Sequence, residues 1–340
     1  MKTSAVCSAV LLSLGLALTP IVASAQDKPL ELRYTSGAPP KGNPWATQIE
    51  RIVKHVDEES KGSIKIQAFL ASQLGSEQDT VQQVARGRID MGGFSTASAA
   101  LVVPELQLLT LPFYFKNIAE LDCVLDEHLT RMTSDLFARK GVQFLGWSEV
   151  GTIDLIGKKP YLVPKDLSGA KAAAYPTRAQ ALFYASVGAN ANVLGLPEWI
   201  PAMQTGLTDV VLTTITYGLP SGLTKVAPVI SRVNASDSPG VTLMNKAVYD
   251  KLSRENQDAI VRAANRNPPA MLRAEVRGFE NVLFGLHEKA GGQAPTITPA
   301  QREEWRKSME PVYPQIVKET GNTAESYFAT MEAGRKACAK

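Results

Sequence analysis

Strand patterns alternate with helical ones along this chain, and the alternation runs through twice, which restricts it to folds built on a sheet with helices on its faces. "ELRYT", residues 31–35, reads as a strand, and "GAPPKGNP" breaks the chain. "WATQIERIVKHVDEES" then sets Ile49, Ile52, Val53 and Val56 on one helical face. "GSIKIQAF" alternates as a second strand, "DTVQQVARG" reads as a helix ending at Gly87, and "IDMGGFS" is a third strand. After "LLTLPFYFKN" and an amphipathic helix through Leu136, "GVQFLGWSEVG" is a strand expected to cross into a second lobe. There "AKAAAYP", "TRAQALFYASVG", "ANANVLG", "EWIPAMQTG" and "TDVVLTTI" read as strand, helix, loop, short helix and strand. "VTLMNKAVY" is a further apolar segment, followed by a long helical run from Arg254 to about Ala290 that Pro268 and Pro269 should kink or interrupt.

The start of the chain is set apart from this pattern. Lys2, the apolar stretch "AVLLSLGLALTPIVA" and the small residues Ala23-Ser24-Ala25 form a secretory signal, with cleavage expected near Ala25 and the mature protein expected in the periplasm. About 315 residues then remain, more than one core usually organises, so two lobes with a cleft between them are expected. Loss of Lys2 leaves 35 basic residues against 33 acidic ones, which gives no basis for a nucleic-acid or anionic-membrane partner. Cys123 and Cys338 survive cleavage, and an exported compartment permits a disulfide between them; two separate thiols are the alternative.

Catalytic and cofactor chemistry finds little support. His55, His128 and His287 lie far apart on helical segments and form no i, i+4 zinc pair. "GFSTA" around Ser95 lacks the final glycine of a nucleophile elbow, and "GTIDLIGKK" has the wrong glycine spacing for a phosphate loop. Neither a catalytic residue nor a metal or other cofactor is expected. In sheets of this kind ligands sit beyond the carboxyl ends of strands, which singles out Ser36, Ser95 and Thr96, although these hydroxyls could equally cap the helices that follow.

The order "GNPWATQIERIVKHVDEESKGSIKIQAFLASQLGSEQDTVQQVARGRIDMG", "LLTLPFYFKN", "VPKDLSGAK", "VGANAN" and "PAMQTGLTD" resembles the extracytoplasmic solute-binding proteins of tripartite ATP-independent periplasmic (TRAP) transporters, the DctP family. The resemblance implies a two-lobed periplasmic-binding-protein fold, each lobe a mixed sheet flanked by helices, joined by crossing strands and a long helix. Lobe I is expected over 26–149 plus about 240–268, and lobe II over 150–239 plus about 269–340, with the hinge-spanning helix over about 254–290. It implies a monomeric receptor, not an enzyme, that delivers a small molecule to the membrane subunits of such a transporter. A receptor that presents its ligand to a sensor kinase or another envelope partner is the alternative.

Where the family typically carries an arginine for a substrate carboxylate, in a pattern like "DLKGLKIRVP", this chain has Ala173. The position of a second frequent basic residue is Ile153, and the family's Gln–Glu–Asn strand reads Val211, Leu212 and Thr213. Loss of a bidentate arginine contact is difficult to reconcile with a small dicarboxylate ligand, so an apolar, aromatic or alicyclic molecule is expected. Phe94, Trp147, Tyr175 and Tyr217 are candidate flat walls for it. Arg178, five positions on, could rescue an organic acid, and Asp154 or Glu149 a cationic amine.

Overall fold

The computed structural model describes residues 28–321 and 323–339; the expected signal, 1–25, lies outside them. Eight strands, β1 (Leu30–Thr35), β2 (Ile64–Phe69), β3 (Met91–Ser95), β4 (Val142–Gly157), β5 (Lys171–Ala174), β6 (Asn190–Val193), β7 (Val210–Thr214) and β8 (Val229–Asn245), join in the order β2-β1-β3-β8-β4-β7-β5-β6. β1 pairs in parallel with β2 and β3, and β5 in parallel with β6 and β7. Those two parallel groups are the repeated pattern of the sequence. The sheets of the two halves are continuous, because β8 pairs antiparallel with β3 and β4, and β4 antiparallel with β7.

β4 and β8 are long, 16 and 17 residues, and belong to both halves. Their pairing changes register between Phe144 and Gly146, Glu149 and Gly151, and Ile153 and Leu155, which bends and twists the ribbon where the halves meet. "ASDSPG", which has the composition of a turn, lies inside β8 because Pro239 falls opposite Glu149 at one of these irregularities, where a missing N–H is tolerated. "ANANVLG", expected as a loop, supplies the edge strand β6. Parallel pairing of Asn190–Val193 with Lys171–Ala174 makes it a strand despite its low β-propensity.

Local signals place the helices. Asn43 accepts a hydrogen bond from the Ala46 N–H (3.0 Å) and Pro44 opens the first helix, Pro44–Glu59, which buries Gln48, Ile49 and Val56. The run expected over about 254–290 is two helices, Arg254–Asn265 and Pro269–Lys289, broken at Pro268 because proline cannot donate to the preceding turn. Helix Pro269–Lys289 lies along β4 and buries Arg273, Val276, Glu280 and Phe284 on one face.

The carboxyl-terminal helix, Ala324–Cys338, packs on the segment Ile118–Leu129. The Cys123 and Cys338 sulfurs are bonded, with Cα atoms 6.0 Å apart across 215 residues of sequence. A crosslink over so long a loop removes many unfolded conformations. Cys338→Ser should therefore lower stability by about 2–4 kcal/mol in denaturant titrations. Reducing agent should destabilise the parent chain to the same level and leave the variant unchanged.

Candidate functional site

A cleft of about 550 Å3 opens beyond the carboxyl ends of β1 and β3 on one side and beyond β7 on the other. Ser36, Gly37 and Ala38 border it after β1, Phe94 and Ser95 at the end of β3, and Thr216 and Tyr217 after β7. Trp45 joins the first helix to the bent ribbon through a 2.7 Å hydrogen bond from its Nε1 to the Glu149 carbonyl. Of the described side chains that line the cleft, the only charged ones are Glu77 and Glu149.

Both carboxylates are already engaged by the protein. Glu77 accepts from the Ser95 N–H (2.6 Å), the Ser95 hydroxyl (2.9 Å) and the Ser98 hydroxyl (2.6 Å). Ser98 in turn shares a 2.7 Å hydrogen bond with the Tyr175 hydroxyl, so one polar chain runs from the β3 side of the cleft to the β5 side. Glu149 is held by Arg277 through Nε (3.1 Å) and Nη2 (2.9 Å). The same guanidinium also binds Asp122 at 2.7 and 2.8 Å. Arg277 is thus saturated behind the cleft wall and presents no free donor pair to a ligand.

The structure brings Ser36, Phe94, Ser95 and Tyr217 to the cleft and leaves the other expected contacts elsewhere. Ser95 does two tasks at once, since its hydroxyl also accepts from the Ser98 N–H at 3.2 Å as a helix cap. Thr96 is turned inward and is fully buried. Trp147 packs against Phe144 in the core, with its Nε1 bonded to Thr130 at 2.9 Å. Ile153, Leu212 and Thr213 lie within the paired strands β4 and β7, are buried and are not among the residues that line the cleft. Asp154, offered as a partner for a cation, is buried and accepts the Asn234 N–H at 2.8 Å.

Ala173 and Tyr175 belong to a buried cluster with Trp199, Val211 and Leu223. Trp199 stands edge-on to Tyr175 (6.4 Å between centroids) and to Tyr217 (5.7 Å), so aromatic rings fill the space between β5 and the cleft. Arg178 does not reach the cleft: it is exposed and pairs with Glu319. The helix it begins points it outward, and a carboxylate there holds it. Trp45, Glu77 and Trp199 were not anticipated. The only sequence cues were the tryptophan directly after the helix-opening Asn-Pro and the Ser76–Glu77 helix start.

A family profile described as "Bacterial extracellular solute-binding protein, family 7" (DctP) matches residues 35–320. This chain belongs to that family. DctP relatives include a solute-binding protein of Verminephrobacter eiseniae, 26% identical over 81% of this chain and 82% of its own length. Another is the C4-dicarboxylate-binding periplasmic protein of Vibrio cholerae, 22% identical over 94% of this chain and 96% of its own. Among solved structures, the sugar acid binding protein of Advenella mimigardefordensis with galactonate superposes with a TM-score of 0.83 at 23% identity, covering 91% of this chain and 99% of that one. DctP proteins are periplasmic receptors that pair with TRAP membrane subunits and are not enzymes. No described helix is long and apolar enough to cross a membrane.

In this DctP chain the bent ribbon carries a second group of acids. Glu280 accepts the Thr152 N–H at 2.7 Å, and the Thr152 hydroxyl lies 3.2 Å from Glu280 and 3.1 Å from Asp237. One hydroxyl hydrogen cannot serve two carboxylates, and no cation sits within 4.0 Å of either among the described residues. Burial raises both carboxyls, Glu280 to about 7 with the Asp237 charge adding to it, and Asp237 to about 6 with the Asp122 charge adding to it. Gly151, with φ +132°, is required here because a Cβ would meet Glu280 Oε1 at 2.5 Å. At these two carboxyls the folded protein binds more protons than the unfolded chain between the ordinary carboxyl range and pH 7. Their contribution to stability should therefore fall as pH rises from about 4 to about 7 and level off above it. Glu280→Gln should reduce that fall by on the order of 2 kcal/mol, measured as urea midpoints at several pH values.

Proposed function

We propose that this receptor captures a small organic molecule without an anionic anchor, one with an aromatic or alicyclic body, and delivers it to a TRAP-type transporter. The observation that carries this reading is the absence of any Lys, Arg or His among the described residues that line the cleft. An anion drawn from water into such a cleft would lose its hydration, meet two carboxylates and gain no ionic partner. An apolar body loses nothing comparable, and Trp45, Phe94 and Tyr217 offer ring faces and edges to it. Hydroxyls of Ser36, Ser95 and Thr216 can orient polar ends.

The lobes are assigned as 26–149 plus about 240–268 and 150–239 plus about 269–340, with β4, β8 and helix Pro269–Lys289 passing between them. Closure then brings Leu196 and Tyr217 toward Ser36 and Phe94, and a ligand that touches both sets favours the closed state by its differential affinity. The second reading is an acid ligand, since relatives of similar fold were solved with galactonate and β-D-galacturonate.

A thermal-shift panel separates the two. A true ligand at a hundred times its Kd adds about 2.7 kcal/mol, a rise of several degrees. Uncharged aromatic and alicyclic compounds should produce that rise, and galactonate, galacturonate and succinate should not. Arg178→Ala should leave every shift unaltered; a shift with an acid that vanishes in this variant would establish the acid reading.

A further inference from the structure

The cleft extends deeper than a site between two lobes needs to. Tyr34, Ile49 and Leu272 line it although they are 2%, 4% and 4% exposed, so their contact with the cleft is made inside the first half and not at its mouth. These residues come from β1, the first helix and helix Pro269–Lys289, and they enclose a branch that runs under the first helix. Beyond it lies a second void of about 40 Å3, walled by Val56, Met91, Leu145 and Trp147. Ile52, Thr242 and Leu272 line both spaces and so form the partition between them.

Two side-chain amides along this path are committed to the protein. The Gln48 amide donates to the Leu272 carbonyl at 3.2 Å and to Glu275 at 3.1 Å. The Asn267 amide, at the far void, donates to the Ala263 carbonyl at 2.9 Å. Around these amides the walls are mostly apolar, so a polar guest would surrender more hydration here than it regains, whereas hydrocarbon would not.

We propose that this branch is a subsite for a hydrocarbon tail, an alkyl or slender aryl extension of the solute, whose head lies between the lobes. Ile52 sets how far the tail reaches. The proposal rests on the reading that the cleft is the solute site, but not on the head being uncharged.

Linear n-alkanols from butanol to decanol, titrated calorimetrically against the full chain, test it. Affinity should rise about fourfold per added methylene until the branch is full. Ile52→Ala should remove part of the partition and extend the rise to longer alcohols. Ile52→Phe should block the branch and flatten the series, with melting curves confirming that both variants fold. If Ile52→Phe does not fold, the shift of the limit in Ile52→Ala decides alone. A parent series without chain-length dependence, or a limit that Ile52→Ala does not move, overturns the branch and leaves the uncharged-head reading intact. A tight sugar acid together with a preserved alcohol series would overturn that reading and leave the branch.

Discussion

The antiparallel pairing of β4 with β8 is the interaction on which the rest of the molecule depends. Among the described residues it is the ladder through which the two parallel strand groups are joined, and it carries three register irregularities. A regular ladder of that length would be a stiff, evenly twisted ribbon; bulges let it bend at chosen points. Helix Pro269–Lys289 braces the bend, with Arg273 and Arg277 fixed on Asp122, Asp126 and Glu149, and Glu280 fixed on the backbone of Thr152. Buried charges of this sort are costly unless paired, and both arginines here are paired with protein carboxylates and absent from the cleft lining.

The cleft inherits its chemistry from that arrangement. In a closed, water-poor site a guanidinium is a strong and directional anchor. No guanidinium lines this cleft among the described residues; beside it Ala173 packs in one apolar cluster with Tyr175 and Trp199, and the Trp199 ring stands edge-on to both Tyr175 and Tyr217. Such contact is less selective for orientation, and hydroxyls then have to supply direction. The chain from Glu77 through Ser98 to Tyr175 ties the segment after β3 to the segment after β5 by hydrogen bonds of the protein itself.

Much of this organisation is legible in the sequence, and the failures have identifiable causes. Period-two and period-3.6 patterns marked most strands and helices, and the loops after β1 and β3 put Ser36 and Ser95 at the cleft. Composition misled where pairing overrode it: β6 has few β-formers, and β8 runs through a Ser-Pro-Gly turn signature. The motif order pointed to Ala173 but carried no sign that Trp199, from a different segment, packs in the same buried cluster. Arg178 was close in sequence to the missing anchor, yet the first turn of a helix rotates successive side chains by about 100°, and proximity along the chain gave no direction. Glu149 lines the cleft beside a register shift of β4 that strand alternation does not reveal.

The central claim is that selection in this cleft proceeds without a positive charge. It is tested most directly by a crystal structure of the protein purified with the solute it acquires in the periplasm. The account predicts an uncharged ring-bearing molecule between Trp45, Phe94 and Tyr217, with no guanidinium within hydrogen-bonding distance of it. A carboxylate held by an arginine of this chain would contradict it.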